Sequence, residues 1–132
     1  RNFRFAALMV VGDGAGRIGT GIGKAILAHL PEREWPQRIS PERRKYQPGT
    51  ITDYDAIVEE LRTTRQRGYA LDNGERDREV RCVGVPIYNA FGQLVGGMST
   101  SGPSITMTDE KLARCAVILR NSALKMRDRI YK

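Results

Sequence analysis

The sequence predicts a mixed helix-and-sheet domain of the α/β (α+β) class, and three observations point to it. Two strand-like runs, Val80–Tyr88 and Gln93–Ser101, flank the turn sequence Asn89-Ala90-Phe91-Gly92 and read as an antiparallel hairpin. Thr108 precedes apolar residues at three- and four-residue steps (Leu112, Cys115, Ala116, Leu119, Ala123, Met126 and Ile130), the pattern of a capped amphipathic helix. A length of 132 residues with 40% hydrophobic and 28% charged side chains suits a single domain with one core.

The elements follow in order. Phe3 to Val11 is apolar enough for a buried strand, although Ala6-Ala7 dilutes its β propensity. Glycine at positions 12, 14, 16, 19, 21 and 23 makes the next stretch a loop. Lys24 to Leu30 are good helix formers stopped by Pro31, and the basic segment Pro31 to Pro48 carries one aromatic anchor, Trp35, in a short helix and surface loop. Thr52 reads as the N-cap of a helix over Asp53 to Arg67, with Asp53 and Asp55 in its first turn and Gly68 closing it. Ile57, Val58 and Leu61 mark its core face, and Tyr69-Ala70-Leu71 resumes extended chain toward Asp72. Gly96-Gly97 marks a bulge or a close approach by a ligand, and Gly102-Pro103 ends the sheet.

Composition narrows the function classes. No apolar run approaches the ~20 residues needed to span a bilayer, so no membrane role is expected. The opening Arg1-Asn2-Phe3-Arg4 lacks a signal peptide's apolar segment and reads as the start of a fragment. Cys82 and Cys115 stand alone in apolar patterns, giving neither a disulfide framework nor a zinc motif and suggesting the cytoplasm. The net charge of +7 favours anionic partners. Yet Arg33, Arg38, Arg43, Arg44, Lys45, Arg62, Arg65 and Arg67 are interleaved with Glu and polar residues, without aromatics, and read as a solvated surface.

Chemistry concentrates in the hairpin. Pairing Tyr88 with Gln93 sets Cys82 opposite Ser99 and Val80 opposite Ser101, with Cβ atoms ~5 Å apart on one face. Two hydroxyls, a thiol and an apolar edge can orient a small organic molecule, although two serines can also merely satisfy each other. Cys82 has no evident base, since the one histidine, His29, lies in an apolar-faced helix. Asp72, Cys82 and His29 are suitable metal-ligand types without ligand spacing, and no metal is expected. Asp72 alone reads as a turn-capping residue.

Gly14-Ala15-Gly16-Arg17-Ile18-Gly19 matches the dinucleotide fingerprint and raises the alternative of a nucleotide-dependent oxidoreductase. The second apolar strand of such a fold is missing, since Glu32 to Ile39 is too polar. A phosphate-binding P-loop would need glycine where Ile18 stands and Ser or Thr where Ala25 stands. Backbone N–H groups around Gly21 and Ile22 could donate to an anion, or the glycines only let the chain turn.

Five blocks carry a wider likeness: Gly21-Ile22-Gly23-Lys24-Ala25-Ile26-Leu27, Thr50-Ile51-Thr52, Arg67-Gly68-Tyr69-Ala70-Leu71-Asp72, Val80 to Tyr88, and Ser99-Thr100-Ser101-Gly102-Pro103-Ser104. In this order they resemble the effector-binding domain of the IclR family of transcription regulators, from about Val11 onward. The resemblance implies a GAF-like, profilin-like antiparallel sheet flanked by helices, with an effector pocket and no enzymatic activity or cofactor. It implies one effector-binding domain over residues 1–132, lacking its first strand and helix. A homodimer or homotetramer is implied, contacting DNA only through an N-terminal helix-turn-helix absent from this chain. By matching motif positions, effector contacts fall on the backbone around Gly21 and Ile22 and on Asp72, Val80, Cys82, Ser99 and Ser101. The expected effector is a small organic acid or similar metabolite. The family's Pro-Leu-His-like run before the Gly-Lys block is here Gly16-Arg17-Ile18-Gly19.

Overall fold

The computed structural model describes residues 6–8, 21–39, 53–74 and 78–131. Strands β1 (Ala6–Leu8), β2 (Ala70–Asn73), β3 (Val80–Tyr88) and β4 (Leu94–Pro103) form one antiparallel sheet in the order β1-β4-β3-β2. Helix α1 (Gly21–Ala28) lies against β2, β3 and β4, and α4 (Asp109–Arg127) packs on β3 and β4. Between α1 and β2 come a 3-10 turn (Glu32–Glu34), α2 (Trp35–Arg38) and α3 (Tyr54–Arg67).

Helix α1 begins three residues earlier than propensity predicts, at Gly21, so part of the expected loop is helical. Trp35 is the expected anchor: it is buried, and its indole Nε1 donates to Leu27 O at 2.7 Å. It belongs to a cluster with Leu27, Ala28, Ile39, Ile57 and Leu61 that binds α1 to α3. Arg65 and Arg67 are not the solvated charges expected. Arg65 donates to Ala28 O at 2.7 Å and to Leu30 O, serving carbonyls at the end of α1, while its guanidinium lies 5.2 Å from the Trp35 ring centroid.

Asp53, rather than Thr52, caps α3, its carboxylate accepting from Ala56 N at 3.0 Å. An anion there also meets the positive helix end, which a threonine hydroxyl does not. Gly68 closes the helix at φ 88°, its N–H donating to Thr64 O at 2.8 Å. Thr108 caps α4 as predicted, accepting from Lys111 N at 3.2 Å.

The hairpin forms, but its predicted register is wrong by two residues. Asn89 N–H donates to Gln93 O at 2.9 Å, and Asn89 Oδ1 accepts from Phe91 N and Gln93 N, both at 2.9 Å. This fixes a loop one residue longer than expected, Asn89 to Gln93, with Gly92 at φ 79°. Tyr88 therefore pairs with Leu94, and a bulge between Tyr88 and Ile87 puts Ile87 opposite Gly96. Downstream, Gly84 faces Ser99, Cys82 faces Ser101 and Val80 faces Pro103. An even slip leaves each side chain on its predicted face. The strand also runs through Gly102-Pro103 rather than ending before them.

Candidate functional site

Strand alternation divides β3 between two environments. Val83, Val85 and Ile87 point to α4 and join Met98, Leu112, Cys115, Ala116 and Leu119 in the main core. Val80, Cys82, Gly84 and Pro86 point the other way, toward the α1 side. There Ile22 Cγ2 and Ile26 Cγ1 lie 3.3 and 3.5 Å from where a Cβ on Gly97 would stand. The predicted close approach at Gly97 is therefore made by α1 and not by a ligand.

On this α1 face the pairing assembles two adjacent rows. Asp72, Cys82 and Ser101 stand side by side across β2, β3 and β4. Ala70, Gly84 and Ser99 form the next row, which β1 extends through Ala6. Directly paired residues have Cβ atoms about 4.5–5.5 Å apart, and diagonal ones such as Cys82 and Ser99 roughly 7–8 Å. Cys82 and Ser99 are therefore not opposite, nor are Val80 and Ser101, because the Asn89 loop shifts β4. The four still share one face, joined by Asp72. Gly84 contributes no side chain and Ala70 only a methyl, so the second row is low.

Exposure is graded across the first row. Asp72 and Cys82 are 6% and 8% exposed, whereas Ser101 is exposed. Among the described residues, β1 pairs with β4 from Gly97 to Ser99. Ser99 and Val80 are half-buried. Gly21 and Ile22 open α1, where the first N–H groups of a helix have no intrahelical acceptor. All seven predicted positions thus lie on α1 or on the sheet face it covers.

Lys24 of α1, expected as a helix former within the Gly-Lys block, is completely buried beside this site. Lys24 Nζ donates to Leu71 O at 2.6 Å, one residue from Asp72, and lies 3.4 Å from Glu60 Oε1. A single charge within an otherwise apolar helix segment was its signal. Gly84, the other missed contributor, carried no signal beyond being a glycine in a strand.

His29 is half-buried, and its Nδ1 is 2.7 Å from Ala25 O. Burial lowers its pKa; the Ala25 bond opposes the shift, and Arg65 and Arg120 add to it. Burial raises the pKa of Tyr88 against the pull of Arg65 and Arg127. Among the described residues no three His, Cys, Asp or Glu side chains are grouped to hold a metal ion. Gly14 to Gly19 lie outside the described residues. No described helix is long and apolar enough to cross a membrane.

Comparison with known proteins gives the lineage. The family described as "Bacterial transcriptional regulator IclR C-terminal" matches residues 5–127. The chain is 41% identical over 95 residues to the HTH-type transcriptional regulator BhcR of Paracoccus denitrificans, covering 71% of this chain and 34% of BhcR. The solved C-terminal domain of the Escherichia coli regulator KdgR superposes with a TM-score of 0.76 at 31% identity, covering 83% of this chain and 67% of that one. The inducer-binding domain of PobR from Acinetobacter, solved as a double mutant with 3-hydroxybenzoic acid, superposes with a TM-score of 0.79 at 26% identity, covering 85% of this chain and 65% of that one. These relatives are transcription regulators, which sets aside the oxidoreductase reading of Gly14 to Gly19. The chain belongs to the IclR family of bacterial transcriptional regulators and corresponds to their C-terminal domain.

Proposed function

We propose that this chain is the effector-sensing domain of a DNA-binding regulator and that a small organic acid binds on the α1 face. Ser99, Ser101 and Cys82 hydrogen-bond the ligand, Val80 supplies an apolar edge, and Asp72 accepts from a ligand hydroxyl or orders the rim. The carboxylate points toward the backbone N–H groups around Gly21 and Ile22. The observation that carries this reading is the meeting of Asp72, Cys82, Ser99 and Ser101 in two neighbouring rows of an otherwise small-residue face. Polar groups converging beside a low floor suit a small polar ligand. The PobR domain with its bound 3-hydroxybenzoic acid adds weight.

The domain performs no chemistry and needs no cofactor or metal. It works in the cytoplasm as a homodimer or homotetramer. DNA is gripped by an N-terminal helix-turn-helix in the part of the polypeptide that this chain does not span. Effector binding shifts the subunit arrangement, with a coupling typically of about 1–3 kcal/mol.

Thermal melts with a panel of small carboxylic acids, including 3-hydroxybenzoate and pyruvate, test the site. At least one acid is expected to raise the melting temperature, and Ser99→Ala with Ser101→Ala to abolish the rise. A rise that survives both substitutions would move the site elsewhere. Duplex DNA is expected to give only weak, salt-sensitive retention of this chain.

A further inference from the structure

Lys24 is 0% exposed, yet it carries a charge into the layer between α1, α3 and the sheet. Its contacts bridge elements far apart in the chain: Leu71 O of β2 at 2.6 Å and Glu60 Oε1 of α3 at 3.4 Å. Glu60 Oε1 also stands 4.0 Å from Arg67 Nη2, a buried nitrogen without a hydrogen-bond partner among the described residues. Arg67 Nε donates to Tyr69 O at 3.0 Å. The carbonyls of Tyr69 and Leu71, two residues apart at the start of β2, are thus each held by a helix-borne cation.

Burying an ammonium carries a desolvation penalty, which its hydrogen bonds and ion pair must offset. What a lysine does here that methionine cannot is to bond α1 to the backbone of β2. The places it joins are both parts of the proposed site: Ile22 is two residues before Lys24, and Asp72 is the residue after Leu71.

We infer that Lys24 is a positioning residue, a strut that sets the distance between the Gly21-Ile22 wall and the Asp72 rim; its role in effector binding rests on the proposed function. Ile22 and Ile26 seat the same helix on Gly97 of β4, so α1 is fixed at two places on the sheet, by packing at β4 and by the ammonium at β2.

Amide hydrogen exchange on the effector-free chain tests the strut. Lys24→Met leaves the Leu71 carbonyl without its donor and is expected to lower the melting temperature by roughly 3–10 °C. Exchange at residues 22–25 and 70–73 should rise about tenfold more than in β3, β4 and α4. Unchanged exchange at those two segments would overturn the inference. So would exchange raised by the same factor throughout the chain, the result of a merely stabilising residue. If Lys24→Met does not fold, Glu60→Gln substitutes for it: exchange at the same amides should rise about threefold, and no change there would overturn the strut. No effector enters this experiment. Failure of every acid to bind would therefore sink the effector reading and leave the strut's own result legible.

Discussion

The two faces of the β3–β4 hairpin make opposite use of the same strands. Toward α4 stand Val83, Val85, Ile87 and Met98, none more than 5% exposed, packed on Leu112, Cys115, Ala116 and Leu119. Toward α1 stand Cys82, Gly84, Gly97, Ser99 and Ser101, small or polar, with Asp72 alongside. Bulk on one side supplies cohesion; the other side carries small and polar side chains instead. Period-two alternation lets one pair of strands do both, so each face can be altered with the other left intact.

The largest effect is expected on the α4 face. Leu119→Ala removes a fully buried side chain and should cost about 2–5 kcal/mol in urea unfolding. The acid-induced melting shift should persist in the molecules that stay folded. Gly97→Ala comes next, because the new methyl would meet Val85 O at 3.1 Å and Ile22 Cγ2 at 3.3 Å. Displacing α1 in this way should cost about 1–3 kcal/mol by the same assay and weaken acid binding as well. Losing both effects in step would tie α1 to the site, whereas a stability loss alone would uncouple them.

Smaller still is Asp53→Ala, which removes the α3 cap and should cost about 1 kcal/mol without touching either face. The smallest effect concerns pH. Because the folded state holds the His29 pKa below its ordinary 6.5, the unfolded chain binds the proton more readily. Stability is then full above about pH 6.5 and declines as the pH falls through the folded value. Melting temperatures between about pH 8 and pH 5 should show this fall, and His29→Gln should flatten its histidine component. An unchanged slope would mean that His29 does not contribute.

What the sequence made legible follows from where local signals decide the outcome. Helix α4 was readable from Thr108 and its apolar steps, and the end of α3 from Gly68, because caps and periodicity are local properties. The α4 and α1 faces were readable too, since parity survives an even slip. The register itself was not, because it depends on how many hydrogen bonds the Asn89 side chain makes to the loop. The start of α1 was missed because glycine propensity argues against a helix that packing on Gly97 supports. Lys24 was overlooked for a related reason: its partners, Leu71 and Glu60, are distant in the chain. Composition alone pointed Arg65 and Arg67 toward solvent, whereas the carbonyls at the end of α1 and at Tyr69 draw them inward.

An amide-resonance titration of the chain with 3-hydroxybenzoate, pyruvate and related small acids tests the recognition face most directly. The account predicts that a binding acid moves the resonances of Gly21, Ile22, Asp72, Cys82, Ser99 and Ser101 and leaves those of α4 in place. Movements centred on α4, or the same movements in a chain carrying Ser99→Ala and Ser101→Ala, would contradict it.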